Sequence, residues 1–215
     1  MFNLLRDNKK QKYAIIDGES CNLNLGDLEN KSWQWGILDC KGEEIIQSHD
    51  LLIKWPKLNV SKEAAKHTRF SQDNIDKHGI EPKRALDILD SYIYNPEYKL
   101  IIHNGLGFDV YLHNIFRRNL GLKTDYSYIY RILDTNCLAK GIKLGIKYEG
   151  KNEKDLLMYQ YKLFYTIQKG LKTNLTLLGK ENEIDVNYDE LHNSLNDVIL
   201  LKLVWNKYIK WRLEI

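Results

Sequence analysis

Proline is scarce, with three residues in 215, so the chain has no material for a Pro-rich linker between modules. Cysteine is equally scarce. Cys21, Cys40 and Cys137 make an odd count without a CxxC pair, which excludes a disulfide framework and a zinc knuckle and suits a reducing compartment. Long hydrophobic runs are missing too. Stretches such as Val198 to Leu201 fall far below the ~18 apolar residues of a membrane span, so no membrane association is expected. Met1 to Lys12 carries charge with no apolar segment behind it, unlike a signal peptide, and the expected location is the cytoplasm. Nor does either sign of charge dominate: 32 basic against 29 acidic residues leave a net +3, too mild to announce a nucleic-acid partner.

What is present is ordinary for a globular protein, with 43% apolar and 28% charged residues, a composition that excludes collagen, coiled coil and wholesale disorder. The length fits a single domain spanning 1–215, with room for insertions. Such a chain buries roughly 70% of its unfolded surface and needs no metal or disulfide to hold its core. Charge is unevenly spread. Between Lys140 and Lys172 stand eight lysines and three acids (Glu149, Glu153, Asp155), so residues 140–172 read as a lysine-rich insertion or clamp.

Tyr13-Ala14-Ile15-Ile16-Asp17 has the pattern of a buried strand ending in an acid. Trp33 to Leu38 and Glu44 to Trp55 read as further strands around the Lys41-Gly42 turn. After Pro56 helices take over, one from Ser61 and another opened by Pro82 and running to Ile93. Lys99 to His103 returns to strand, Phe108 to Leu120 is helical and stopped by Gly121, and Arg131 to Asp134 is a short last strand. Glu153 to Gln168 and Ser194 to Trp211 carry helical spacing. Strands first, then helices alternating with strands, predict an α/β fold: a mixed central sheet with helices on both faces.

Three motifs carry chemistry. In Asp17-Gly18-Glu19, residues two apart on a strand share a face, so two carboxylates converge and repel unless a cation compensates. Taken alone, Asp-x-Glu is frequent by chance and reads as a solvated strand end. In His103 to Asp109, Gly105 and Gly107 invite a dinucleotide loop, but the third glycine would have to stand at Val110. A P-loop fails as well, because Gly179-Lys180 is followed by Glu181 and Asn174 occupies the other glycine's place. The glycines instead let the backbone turn sharply and set Asp109 at a helix start. Finally, His192 precedes Asp197 across a helix start capped by Asn193 or Ser194.

In this order, Asp-x-Glu, Asn104-x-x-x-Phe-Asp109 and His192-x-x-x-x-Asp197 resemble the three motifs of the DEDD exonuclease superfamily, in its histidine-bearing DEDDh or DnaQ-like branch. Asp134-Thr135 with Leu138-Ala139 is similar to a further stretch of that branch, and Asn24-Leu25 with Trp33-Gln34 resembles bacteriophage variants. Gly18 is smaller than the residue usual between the two acids, and Asn104 and Asp109 stand one residue further apart than in the commonest spacing.

The resemblance implies a ribonuclease H-like fold and a 3′-to-5′ exonuclease that uses two Mg²⁺ or Mn²⁺ ions. Asp17 would bridge both ions, Glu19 and Asp197 would complete one, and Asp109 would hold the other. His192 would be the general base, since an imidazole exchanges protons near neutral pH. Ser20, Leu23, Leu25 and Asn104 are the expected contacts to the terminal nucleotide, and Lys140, Lys143 and Lys147 the expected grip on phosphates. The expected partner is nucleic acid with a free 3′ end, DNA ahead of RNA, in a bacterial or phage-infected cell. A polymerase or replication partner ranks lower. An exoribonuclease, or a non-catalytic binding module on the same fold, are the alternatives.

Overall fold

Alternation in strand β1 (Lys12–Ser20) sends Ala14 and Ile16 to one face and Tyr13 and Ile15 to the other, and all four are buried. A strand that is apolar on both faces belongs inside a sheet. In this computed structural model, which describes residues 10–27 and 29–213, β1 is the central strand. It pairs antiparallel with β2 (Ser32–Lys41), which pairs antiparallel with β3 (Glu44–Leu52). On its other side β4 (Tyr98–Ile102) runs parallel to it, followed by β5 (Ile132–Asp134), giving the order β3-β2-β1-β4-β5. The mixed sheet expected from the pattern is the one observed.

Two short helices, α1 (Lys62–His67) and α2 (Gln72–His78), follow β3, each capped by a serine hydroxyl, Ser61 and Ser71. Helix α3 (Pro82–Ile93) begins at its proline, and α4 (Asp109–Asn119) stops just before Gly121, as predicted. Next come α5 (Thr135–Leu144), α6 (Glu153–Phe164), α7 (Leu175–Glu181) and α8 (Ser194–Val204), the last continuing through a π turn, Trp205–Ile209, into Lys210–Leu213. Helices α3 and α4 cover the face that carries Ala14, Ile16 and Trp35; α8 covers the face that carries Tyr13, Ile15 and Leu38. Among the described residues no helix is long and apolar enough to cross a membrane. The charged stretch from Met1 lies outside the described residues except for 10–12.

Residues 140–172 are built into the body. Leu156, Leu157 and Leu163 of α6 are buried in the cores. The buried Gln160 side chain accepts the Asp134 N–H at 2.6 Å and donates to the Ile132 carbonyl at 3.0 Å, completing the outer edge of β5 as a neighbouring strand would.

Helix α8 can approach the sheet closely because β2 presents Gly36 to it. A Cβ there would overlap the Ser194 carbonyl at the head of the helix. Gly36→Ala is therefore expected to lift the α8 N-terminus off the sheet and cost about 1–3 kcal/mol, read as a lower urea midpoint at unchanged slope.

Candidate metal centre and cleft

Both acids of the first motif lie inside β1 and share the parity of Tyr13 and Ile15, so they emerge on the face covered by α8. Asp197 stands one turn into that helix, whose start is fixed by Asn193: its side chain accepts the N–H groups of Leu195 and Asn196. One ligand oxygen from each of Asp17, Glu19 and Asp197 falls within 4.8 Å of the others. Asp109 arrives from the opposite face on α4, and its Oδ1 accepts the Gly18 N–H at 3.1 Å, so it sits directly behind the strand that carries the other two. The sequence quartet is thus assembled as three converging carboxylates with a fourth beside them.

Electrostatics follow from this crowding. The Asp17 carboxyl is held well above the usual range, first by its removal from water and then by the charges of Asp109, Asp197 and Glu19. Burial, reinforced by Asp197 and Asp109, pushes Glu19 up to about 8. Burial also raises Asp109 to about 7, against the pull of the Gly18 N–H, and Asp197 to about 6, against hydrogen bonding and charge from His192. Hard oxygen donors at short range, with no thiolate among them and a shared excess of negative charge, fit a hard divalent cation.

Gly18, unusual in its motif, has a partner that explains it. The Trp35 ring lies over it from the paired position on β2, 2.7 Å from where a Cβ would stand, and fills the space that a larger residue would take.

Beside the acids opens a cleft of about 590 Å³, a size typical of ligand sites. Glu19, Ser20, Leu23, Phe108 and His192 form part of its lining, and the opposite wall is α1 with Ser61, Ala64, His67 and Thr68. His192 is exposed and has φ of +64°; Asn104 has φ of +63°, so two motif residues hold the left-handed backbone that side chains other than Asn, Asp and His seldom adopt. Arg69, just after α1, donates its backbone N–H to the His192 carbonyl at 3.1 Å and its guanidinium to the Asp189 carbonyl, tying the histidine loop to that wall.

The expected contacts are distributed differently. Ser20 and Leu23 line the cleft, with Leu23 84% exposed. Leu25 packs against the core, and the Asn104 amide oxygen accepts from Asn136 outside the cleft lining. The Lys140 ammonium is taken up by the Leu163 and Phe164 carbonyls at the end of α6, and that of Lys143 by Lys172 O and Glu181; Lys147 is exposed beside Gly145 and Tyr148. The sequence reading placed Phe108 and Asp134 in motifs and began a helix at Ser61, but it assigned neither the cleft lining to Phe108 and α1 nor the anchoring of the turn to Asp134. Asp134 is fully buried and accepts four N–H groups, from Asn104, Leu106, Asn136 and Cys137, which pins the turn that delivers Asp109.

No family model matches the chain, and no curated protein matches it in sequence. Solved structures do match. The zinc-bound form of E. coli exonuclease I with single-stranded DNA superposes with a TM-score of 0.70 at 16% identity, covering 94% of this chain and 41% of that one. E. coli exonuclease I with a dA16 oligonucleotide gives 0.67 at 16%, covering 92% and 41%, and a further exonuclease I structure gives 0.67 at 17% over the same shares. The fold is ribonuclease H-like. The chain spans about two-fifths of the length of those exonucleases, and at this identity the likeness is one of architecture.

Proposed function

We propose that this domain hydrolyses nucleotides from the 3′ ends of single-stranded DNA with two divalent cations, Mg²⁺ or Mn²⁺. The observation that carries the reading is the convergence of Asp17, Glu19 and Asp197 within 4.8 Å at a cleft whose lining includes His192. Asp17, Glu19 and Asp197 would hold one cation, and Asp17 with Asp109 the other. Two cations held by these residues would supply Lewis-acid chemistry, activating a water and offsetting charge on the departing 3′-oxygen. His192, which lines the cleft on a loop tied to the α1 wall, would accept the proton. Glu19, Asp27 and Glu63 make the cleft acidic, so a phosphodiester enters it only once cations have offset that charge. Ser20, Leu23 and Phe108 surround the terminal nucleotide. Support for the substrate comes from the matched exonuclease I, which holds single-stranded DNA.

A 5′-labelled single-stranded oligonucleotide incubated with Mn²⁺ is expected to yield a ladder of shortened products. His192→Ala should slow it at least about a hundredfold. Absence of any ladder overturns the reading. Equal or faster degradation of a matched RNA would reassign the substrate.

A further inference from the structure

Outside the cleft, a row of aromatic rings remains exposed. Tyr165 is 74% accessible, Tyr111 43% and Tyr126 40%, and none is explained by the packing of the cores. They are not scattered. The rings of Tyr111 and Tyr126 lie 6.3 Å apart, and those of Phe164 and Tyr165 meet edge to face at 5.1 Å. Tyr161 joins the two pairs: it stands on α6 one helical turn before Tyr165, the C-cap, and the Tyr111 and Tyr165 phenols reinforce burial in raising its pKa. The row then runs into the candidate site: the Phe164 ring sits against Gly107, next to Phe108 of the cleft lining and two residues from Asp109.

Both supporting segments are basic. Residues 162–174 hold Lys162, Lys169 and Lys172 without an acid, and residues 116–124 hold Arg117, Arg118 and Lys123 without an acid. Charge here belongs to the backbone of a strand and the rings to its bases, because every base has a face that stacks on an aromatic side chain.

We propose that the ring row Tyr126-Tyr111-Tyr161-Tyr165 is a track for single-stranded nucleic acid, on which the bases leading to the bound 3′ end stack. This extends the exonuclease reading, since the row starts where that cleft ends. It assigns the 162–174 segment a role that charge counting alone placed on its lysines: the rings hold the strand, and the lysines that remain in solvent lend it attraction. Such a track reads no sequence and makes affinity grow with strand length until the row is filled.

The test separates the track from the chemistry. Fluorescence anisotropy in Ca²⁺ measures binding of labelled dT oligomers from about 3 to about 12 nucleotides, and hydrolysis of the p-nitrophenyl ester of thymidine 5′-monophosphate in Mn²⁺ reports the metal centre without a strand. Wild type should bind long oligomers more tightly than the shortest. Tyr111→Ala with Tyr165→Ala should weaken the long oligomers about tenfold or more, flatten the length dependence and leave ester hydrolysis unchanged. Tyr165→Trp should keep the affinity and Tyr165→Leu should lose it, because the contact is stacking rather than apolar area. All of these side chains are exposed, so the melting temperature should hold. An unchanged length dependence in the double variant overturns the track and leaves the rings to a protein partner. A wild type that binds by length but hydrolyses neither ester nor oligomer keeps the track and overturns the exonuclease.

Discussion

Asp17→Asn is expected to abolish strand shortening while raising the melting temperature of the metal-free protein. The two effects have one origin. Asp17 is the residue repelled by all three other acids, and it is also withdrawn from water, so the folded state carries its charge only at a cost. An amide of nearly the same volume removes the repelled charge and leaves packing in place, and an increase of about 2–4 °C is the expected scale for each kcal/mol released in a chain of this size. Activity goes the other way. The variant loses the carboxylate proposed to be shared between two cations, and turnover should fall at least about a thousandfold, equivalent to roughly 4 kcal/mol of transition-state stabilisation. Product ladders in Mn²⁺ and a thermal scan in chelator measure the two changes on the same sample. Wild-type turnover in the variant would end the proposed mechanism, and a lowered melting temperature would show that the acids are not in mutual repulsion.

Metal-free protein should lose stability as pH rises from about 4 to about 8, and Mn²⁺ should restore it most strongly at the alkaline end. Ordinary values of 4.5 for Glu19 and 3.8 for Asp109 and Asp197 describe the unfolded chain, whereas the folded values are about 8, 7 and 6. Below about pH 4 both states are protonated and these groups contribute no pH dependence. Between the two sets of values the folded state holds protons that the unfolded state has released, so stability declines with each step in pH across that window. A divalent cation competes with those protons and binds best where they have left. At a Mn²⁺ concentration of about 100 times Kd the gain is about 2.7 kcal/mol, or about 5–10 °C. Thermal scans at pH 5.5 and pH 8, with and without Mn²⁺, give the comparison. A metal shift equal at both pH values would remove the coupled acids as its source.

Much of the fold was legible because the strands are apolar on both faces and the helices begin at recognisable caps. Pro82 opens α3 and Gly121 follows the end of α4 at the positions the pattern assigns. Helices α5 and α7 were not legible: α5 is interrupted by Gly141, which lets Tyr159 approach closely, and α7 is only seven residues long. The end of β3 shifted as well, from Trp55 back to Leu52: Ile53 still donates its N–H to the Trp33 carbonyl but pairs with Ile80 as an isolated bridge.

At the site, Asp17, Glu19, Asp197 and His192 could be read from order and spacing, since strand parity and a helix cap place them without knowledge of distant contacts. Lys140 and Lys143 show the limit of that reading. Their charge is visible in sequence, but the carbonyls that engage it belong to residues more than twenty positions away. The same holds for the cleft's far wall, which α1 supplies from beyond the third strand.

Helix α8 seats Asp197 against β1, 178 positions after Glu19, and it follows every strand of the sheet in chain order. A growing polypeptide that has already formed its sheet therefore owns Asp17 and Glu19 but lacks both the third ligand and the histidine. Under the proposed reading such a nascent chain cannot yet cut nucleic acid, and would gain that capacity only once α8 has docked on the sheet.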